Sequence, residues 1–310
     1  MRTDDLRGSF SFQSIKPGVA VLGIAAILLG GHLSAQSKSG GPNVTGCDAA
    51  CLTATVDDFL TKTTTQRTSA IKIAPNALVF INTEPSKLDQ SPLTSVKAIR
   101  SKQIYCDPEL GNVVARTGLE LSDGKIAYAS TRLKVVRGTI TEVETSYDDS
   151  QRVNPSYVTF LDPLMTTIVP EKERASRAEL KAMIERYFQT LTDHKPNATD
   201  YDDRCDRYHS GQRVTNNTLN TVETGGALTC FTSVGGNPPW GPATQIRLPV
   251  IDPKHGIVIG YTILLYKNNT PPMYVSEVFK ILDGKIRMID NIGIKKGGVK
   301  ALDLPESDRK

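Results

Sequence analysis

The chain has 310 residues, of which 39% are hydrophobic and 23% charged, and its formal net charge is +4. At roughly 100–200 residues per domain this is room for two folded units, and the composition excludes a disordered or collagen-like chain. The cations are scattered, with Lys295-Lys296 and Arg309-Lys310 as short clusters, so the basic stripe of a nucleic-acid binder is missing and no nucleic-acid partner is expected.

At the N-terminus Arg2, Arg7 and Lys16 precede an uncharged apolar run from Val19 to Leu29, and small residues follow at Ser34 and Ala35. This is the layout of a signal peptide over residues 1–35, cleaved after Ala35. The alternative is an uncleaved anchor, but the run is shorter than the roughly 20 residues that span a bilayer. The sequence therefore predicts a secreted or periplasmic protein with no stable membrane insertion after cleavage. A flexible linker, residues 36–46, leads into the first domain.

That domain is predicted over residues 47–153. Cys51, Leu52, Val56, Phe59 and Leu60 recur at helical spacing. Further on, Asp107-Pro108 with Gly111 is turn chemistry between two β-prone runs, and Arg137-Gly138 sits between alternating apolar residues; both predict hairpins. A connection follows over residues 154–174, with Pro155, Pro163 and Pro170, and reads as a segment lying over the surface.

The second domain, residues 175–300 before a tail at 301–310, repeats this order. Ser176 and Glu179 form a capping-box pattern ahead of Leu180, Ile184, Tyr187, Phe188 and Leu191 at helical spacing. Asp252-Pro253 with Gly256 then matches the earlier Asp-Pro turn at a shift of 145, and Asp283-Gly284 matches Arg137-Gly138 at a shift of 146. A repeat at near-constant spacing marks two copies of one unit. Helix first and strands after it argue for α+β rather than a parallel α/β sheet.

Five cysteines lie beyond the leader: Cys47, Cys51, Cys106, Cys205 and Cys230. An exported chain retains disulfides; Cys205 and Cys230, in one domain, are the expected pair, and Cys47, Cys51 and Cys106 leave one thiol over. A zinc site needs Cys or His in close pairs, but Cys47-x-x-x-Cys51 has no second pair near it and His194, His209 and His255 are dispersed, so neither metal nor cofactor is expected. Asn43, Asn197, Asn216 and Asn268 each open an N-x-Thr pattern, which matters only in a host that glycosylates exported chains.

With these elements in place, the chain resembles the cone-shaped fold of the nuclear-transport-factor-like and SnoaL-like superfamily, to which ketosteroid isomerase, scytalone dehydratase and polyketide cyclases belong. Cys47-Asp48-Ala49-Ala50-Cys51-Leu52, Arg132-Leu133-Lys134-Val135, Ile140 to Thr145, and Cys205-Asp206-Arg207 with Thr215-Asn216-Asn217 resemble more closely a family of exported tandem proteins of this fold, a domain of unknown function. The resemblance implies two tandem cones over about Cys47 to Lys300. In each, a curved, mainly antiparallel sheet wraps a helix around an apolar pocket for a small hydrophobic or aromatic ligand. It transfers no catalytic residue.

The candidate residues come from this chain's own pattern. Asp290 follows Met288 at period two and so shares a face with apolar side chains. In a pocket it would be a general acid; at a strand end it would be solvated or paired with Lys285 or Arg287. Glu144 is its first-copy counterpart. The run from Asp202 to His209 holds the densest ionisable groups: His209 as a base oriented by Asp206 or Asp203 is one reading, and a charged surface hairpin braced by Cys205–Cys230 is the other. Arg207, facing either Asp206 or a ligand carboxylate, and Tyr208 join the pocket candidates. Trp240, the single tryptophan, lies in a Gly/Pro-rich loop, where it either roofs a pocket or anchors the loop.

Two functions are consistent with this pattern. One is a cofactor-free lyase, isomerase or hydrolase using Asp290 and His209 on a small hydrophobic or aromatic molecule. The other is a non-catalytic module that binds a ligand or pairs through its sheet faces, including as a homodimer. Asn76 to Arg100 contains no His and only Glu84 and Asp89 as acids, so the first copy is expected to be the structural one.

Overall fold

The computed structural model describes residues 46–216, 228–235, 239–267 and 270–295; the leader, the linker and the C-terminal tail lie outside them. Helix α1 (Ala49–Thr64) is capped by Asp48, whose side chain accepts from Cys51 N at 2.8 Å, and buries Leu52, Val56, Phe59 and Leu60. Strands β1 (Ile73–Ile81), β2 (Glu84–Pro85), β3 (Val96–Asp107), β4 (Asn112–Leu121), β5 (Ile126–Val136) and β6 (Thr139–Asp148) form one sheet in the order β2-β1-β6-β5-β4-β3. β1 runs parallel to β6, and the other pairs are antiparallel.

The second body repeats this plan. After the connection, which contains the short α2 (Pro155–Val158), helix α3 (Arg177–Asp193) starts at the Ser176–Glu179 capping box. Strands β7 (Tyr201–His209) and β8 (Gln212–Arg213) precede α4 (Cys230–Val234). Then come β9 (Trp240–Asp252), β10 (Ile257–Tyr266), β11 (Met273–Leu282) and β12 (Lys285–Lys295), giving the order β8-β7-β12-β11-β10-β9. The architecture is α+β, with two tandem sheet-rich bodies. The Gly turns fall where the repeat places them: Arg137 and Asp283 each have φ of 50°, followed by Gly138 and Gly284 at 69° and 68°, the two successive left-handed residues of a tight hairpin.

Each sheet covers its helix with one face and the other sheet with the opposite face. Hence every residue of β4 is buried, as expected where a strand is covered on both sides. Phe80, Tyr105 and Val114 of the first body meet Val250, Ile257, Ile259, Tyr261, Tyr274, Val278 and Met288 of the second in one apolar cluster. The polar contacts across this seam are reciprocal: Tyr128 donates to Asp290, Tyr274 donates to Glu144, and Ser130 and Ser276 bond each other at 3.0 Å. In each case the counterpart lies 146 residues on, the pairing that a two-fold axis imposes on an isologous interface. The connection runs mostly at the surface, with Pro155, Pro163 and Pro170 exposed, and is pinned to the interior at a few side chains. Val158, Leu161, Met165 and Val169 are buried, and Val158 and Leu161 pack with Tyr128 of one body and Ile292 and Ile294 of the other.

Cys205 and Cys230 are joined, with Cα atoms 5.7 Å apart, as are Cys47 and Cys51 at 5.3 Å, leaving Cys106 as a free, half-buried thiol. Two disulfides fit an oxidising compartment. Among the described residues no helix is long and apolar enough to cross a membrane.

Candidate functional site

Alternation along the strands sorts the polar residues of the second body onto two faces. β12 pairs with β11 so that Asn291 lies opposite Glu277, and with β7 so that Asn291 lies beside His209 and Ile289 beside Arg207. These residues share the helix-side face with Val275, Phe279 and Cys205, which pack on Tyr187 and Phe188 of α3. Asp290, Met288, Asp206 and Tyr208 belong to the opposite face.

The helix-side face carries a buried polar cluster. Glu277, 1% exposed, accepts at Oε1 from the Tyr187 hydroxyl at 3.0 Å and from Asn291 Nδ2 at 3.4 Å. The Arg207 guanidinium lies 4.0 Å from the same oxygen and 5.9 Å from the centre of the Trp240 ring. Glu277 Oε2, Asn291 Oδ1 and Trp240 Nε1 are buried without a hydrogen-bond partner among the described residues. Native interiors pair such atoms almost without exception. Burial pushes the Glu277 carboxyl above its ordinary value, against the pull of Arg207, Tyr187, Asn291 and His209 toward the ionised form. Burial likewise raises the Tyr187 hydroxyl well above its usual range, so Tyr187 acts as a donor.

Local structure explains how these side chains are held. The Cys205–Cys230 bond ties the start of α4 to β7 two residues before Arg207, and Thr215 accepts from the Arg207 backbone at 2.8 Å. His209 packs over Gly293: a Cβ at that position would stand 2.8 Å from His209 Nε2 and 2.7 Å from Met273 Sδ, inside any real Cβ contact. Glycine at 293 makes the space that the imidazole occupies.

The first body has the same backbone plan without this chemistry. β1 pairs with β6 as β7 pairs with β12, which aligns Val79 with Arg207 and Ile81 with His209. Thr131 and Thr145, bonded at 3.3 Å, stand where Glu277 and Asn291 stand, and Phe59 takes the place of Tyr187 in a helix whose Leu52, Val56 and Leu60 align with Leu180, Ile184 and Phe188.

The sequence-derived candidates are thus divided. His209, Arg207 and Trp240 lie in the cluster. Asp290 and Glu144 do share a face with apolar side chains, but that face is the seam between the bodies. Asp290 pairs with Arg116 at 3.1 Å and accepts from Tyr128; it contacts neither Lys285 nor Arg287 at ion-pair distance among the described pairs. Burial raises its carboxyl, with Arg116 and Tyr128 opposing. Glu144 takes Arg132 at 3.0 Å and Arg247 at 2.6 Å and 3.0 Å, and accepts from Tyr274. Burial alone would raise it, yet Arg247 and Arg132 hold it at about 2. Asp290 and His209 lie on opposite faces and do not converge. Asp206 bonds Arg213 at 2.6 Å and Asn216 at 2.9 Å on the outer side, so it neither orients His209 nor pairs with Arg207. Tyr208 stacks on Tyr157 of the connection, centroids 4.3 Å apart.

Glu277, Asn291 and Tyr187 escape the sequence reading. Their signal is present, since Glu277 lies between Val275 and Phe279 at period two, but the seam makes both faces of β11 and β12 apolar. Among the described residues no three His, Cys, Asp or Glu side chains group as metal ligands.

Residues 173–293, which contain the whole cluster, match a family described as a domain of unknown function, DUF8021. No curated protein matches the chain.

Proposed function

We propose that the second body is a small-molecule site of the ketosteroid-isomerase-like kind, a cone whose interior performs cofactor-free acid–base chemistry on a small hydrophobic or aromatic molecule, in an exported protein. Glu277 is the acid–base group. Tyr187 and Asn291 fix its carboxyl, Arg207 and His209 bias its ionisation, and Trp240 offers an aromatic wall. The reaction class is a lyase, isomerase or hydrolase. The carrying observation is a buried carboxyl with one oxygen held and the other unpartnered, in the one body of the two that has the polar set. A buried, perturbed carboxyl among convergent polar groups is the usual signature of such a site.

The first body serves as the structural partner. Its outer face and that of the second body cover each other, and this pairing within the chain takes the role of a homodimer through those faces. The non-catalytic reading keeps the same site for binding alone. A panel of cyclic ketones, enol esters and lactones, incubated with the full chain and followed by mass spectrometry, separates the two. Conversion that disappears in Glu277→Gln supports catalysis by Glu277; conversion that survives the substitution refutes it, and binding without conversion selects the non-catalytic module.

A further inference from the structure

The N-x-Thr patterns of the sequence differ in what the fold does with them. Asn197, Ala198 and Thr199 are all exposed and form the turn that leads from α3 into β7. Asn197 Oδ1 accepts from Thr199 N at 3.2 Å, an Asx turn closed by the amide oxygen alone. Among the described residues, neither Asn197 Nδ2 nor the Thr199 hydroxyl makes a hydrogen bond. A group attached to Asn197 Nδ2 therefore displaces no described contact, and the oxygen that closes the turn stays where it is.

Asn216 is the contrast. Its Nδ2 donates to the Cys205 carbonyl at 2.9 Å and to Asp206 Oδ1 at 2.9 Å, which uses both hydrogens of the amide. Attachment at that nitrogen replaces one hydrogen and so breaks one of the two bonds, beside the Cys205–Cys230 disulfide. Asn43 and Asn268 lie outside the described residues.

We propose, building on the export reading above, that Asn197 is an N-glycosylation site of the second body in a host that glycosylates exported chains, and that Asn216 stays bare in the folded protein. The donor is an oligosaccharide carried on a lipid pyrophosphate. Asn197 Nδ2 forms the bond to the anomeric carbon, and the bond from that carbon to the pyrophosphate oxygen breaks. The pyrophosphate leaves with the electron pair, and the amide gives up one proton. The Asn197 nitrogen keeps its other hydrogen, and the glycan adds polar bulk on an exposed turn, the setting such modifications occupy.

The full chain with its own N-terminus, produced in a eukaryotic secretory host, tests this. Peptides from cells and medium are treated with peptide N-glycosidase in heavy-oxygen water, which converts each glycosylated Asn to a labelled Asp. The secreted chain should carry the label at Asn197 and not at Asn216. Asn197→Gln and Thr199→Ala should each lose one glycan step in gel mobility, whereas Thr199→Ser, which retains the hydroxyl, should keep it. Label at Asn43 or Asn268 with Asn197 bare overturns the site and leaves export standing. Label at Asn216 in the secreted chain overturns the distinction between the two asparagines. No label at any of the four asparagines overturns the site and the export reading together.

Discussion

Replacing Glu144 by Gln tests whether the seam is held by charge. The carboxylate receives two hydrogen bonds from Arg247 and one from Arg132, all three residues being at most 5% exposed. A carboxyl held at about 2 against an ordinary 4.5 contributes about 3 kcal/mol to folding at neutral pH, since a tenfold difference in proton affinity is worth about 1.4 kcal/mol. The folded value lies below the unfolded one. That stability is therefore complete above pH 4.5 and is lost as pH falls toward 2. Arg132 keeps Glu142 at 2.5 Å and Asn112 at 3.0 Å, so the loss falls mainly on Arg247. Breaking a buried pair from one side costs about 3–5 kcal/mol in comparable cases. Urea unfolding of the wild type and Glu144→Gln between pH 2 and pH 7 should show a deficit of that order at pH 7 that shrinks below pH 4.5. A deficit under about 1 kcal/mol at neutral pH, or one unchanged at pH 2, would refute an ionic seam.

Glu277 should behave in the opposite sense. Its folded value is raised, so its contribution is present at low pH and lost as pH rises through the folded value; Glu277→Gln should therefore raise the melting temperature at pH 8 and leave it nearly unchanged at pH 4, as differential scanning fluorimetry can measure. Gly293→Ala should cost about 1–3 kcal/mol, the usual effect of overpacking, and should displace His209, read from its imidazole NMR signals; unchanged signals would mean the contact is not made. Replacing Cys205 and Cys230 by Ser opens a loop with a sequence separation of 25, and loop-closure entropy puts the loss near about 3 kcal/mol, measurable by urea unfolding. Peptide mapping without reduction should recover Cys47 with Cys51 and Cys106 as the modifiable thiol.

The repeat, both Gly hairpin turns, the capping box and the Cys205–Cys230 pair were legible because each is a local pattern with a local cause. The site was legible only in part. His209, Arg207 and Trp240 stood out as unusual residues in unusual company. Asp290 was misplaced for a single reason: the period-two argument that puts it with Met288 is correct, but neighbouring strand residues point to opposite faces, and which face meets the helix depends on the pairing with β7 and β11. A sheet covered on one side would have shown an apolar and a polar face. Here Met288 packs in the seam and Ile289 on the helix, so composition along the strand does not distinguish them. The anchoring of the connection is hidden for a related reason: its prolines start short helical turns at Pro155 and Pro163, and those turns aim Val158 and Met165 into the interior from a segment that is otherwise largely exposed.

The first body, though it lacks the polar set, reaches the rim of the site in the second. Asp148, the last residue of β6, accepts from Ser210 Oγ at 2.5 Å, and Arg152 donates to the Gly293 carbonyl at 3.1 Å. Asn154 N bonds the Ser210 carbonyl at 3.0 Å, while Ser210 N bonds the Asn291 carbonyl at 2.8 Å. The backbone just after His209 and just after Asn291 is thereby held by residues of the first body and the connection. The match to residues 173–293 covers the cluster but none of these supports. The second body on its own would also expose Tyr274, Val278, Ile257 and Ile259, apolar surface now covered by the first. The two copies thus differ in what they carry: one has the polar interior, and the other buries its partner's outer face and holds the strand ends beside that cluster.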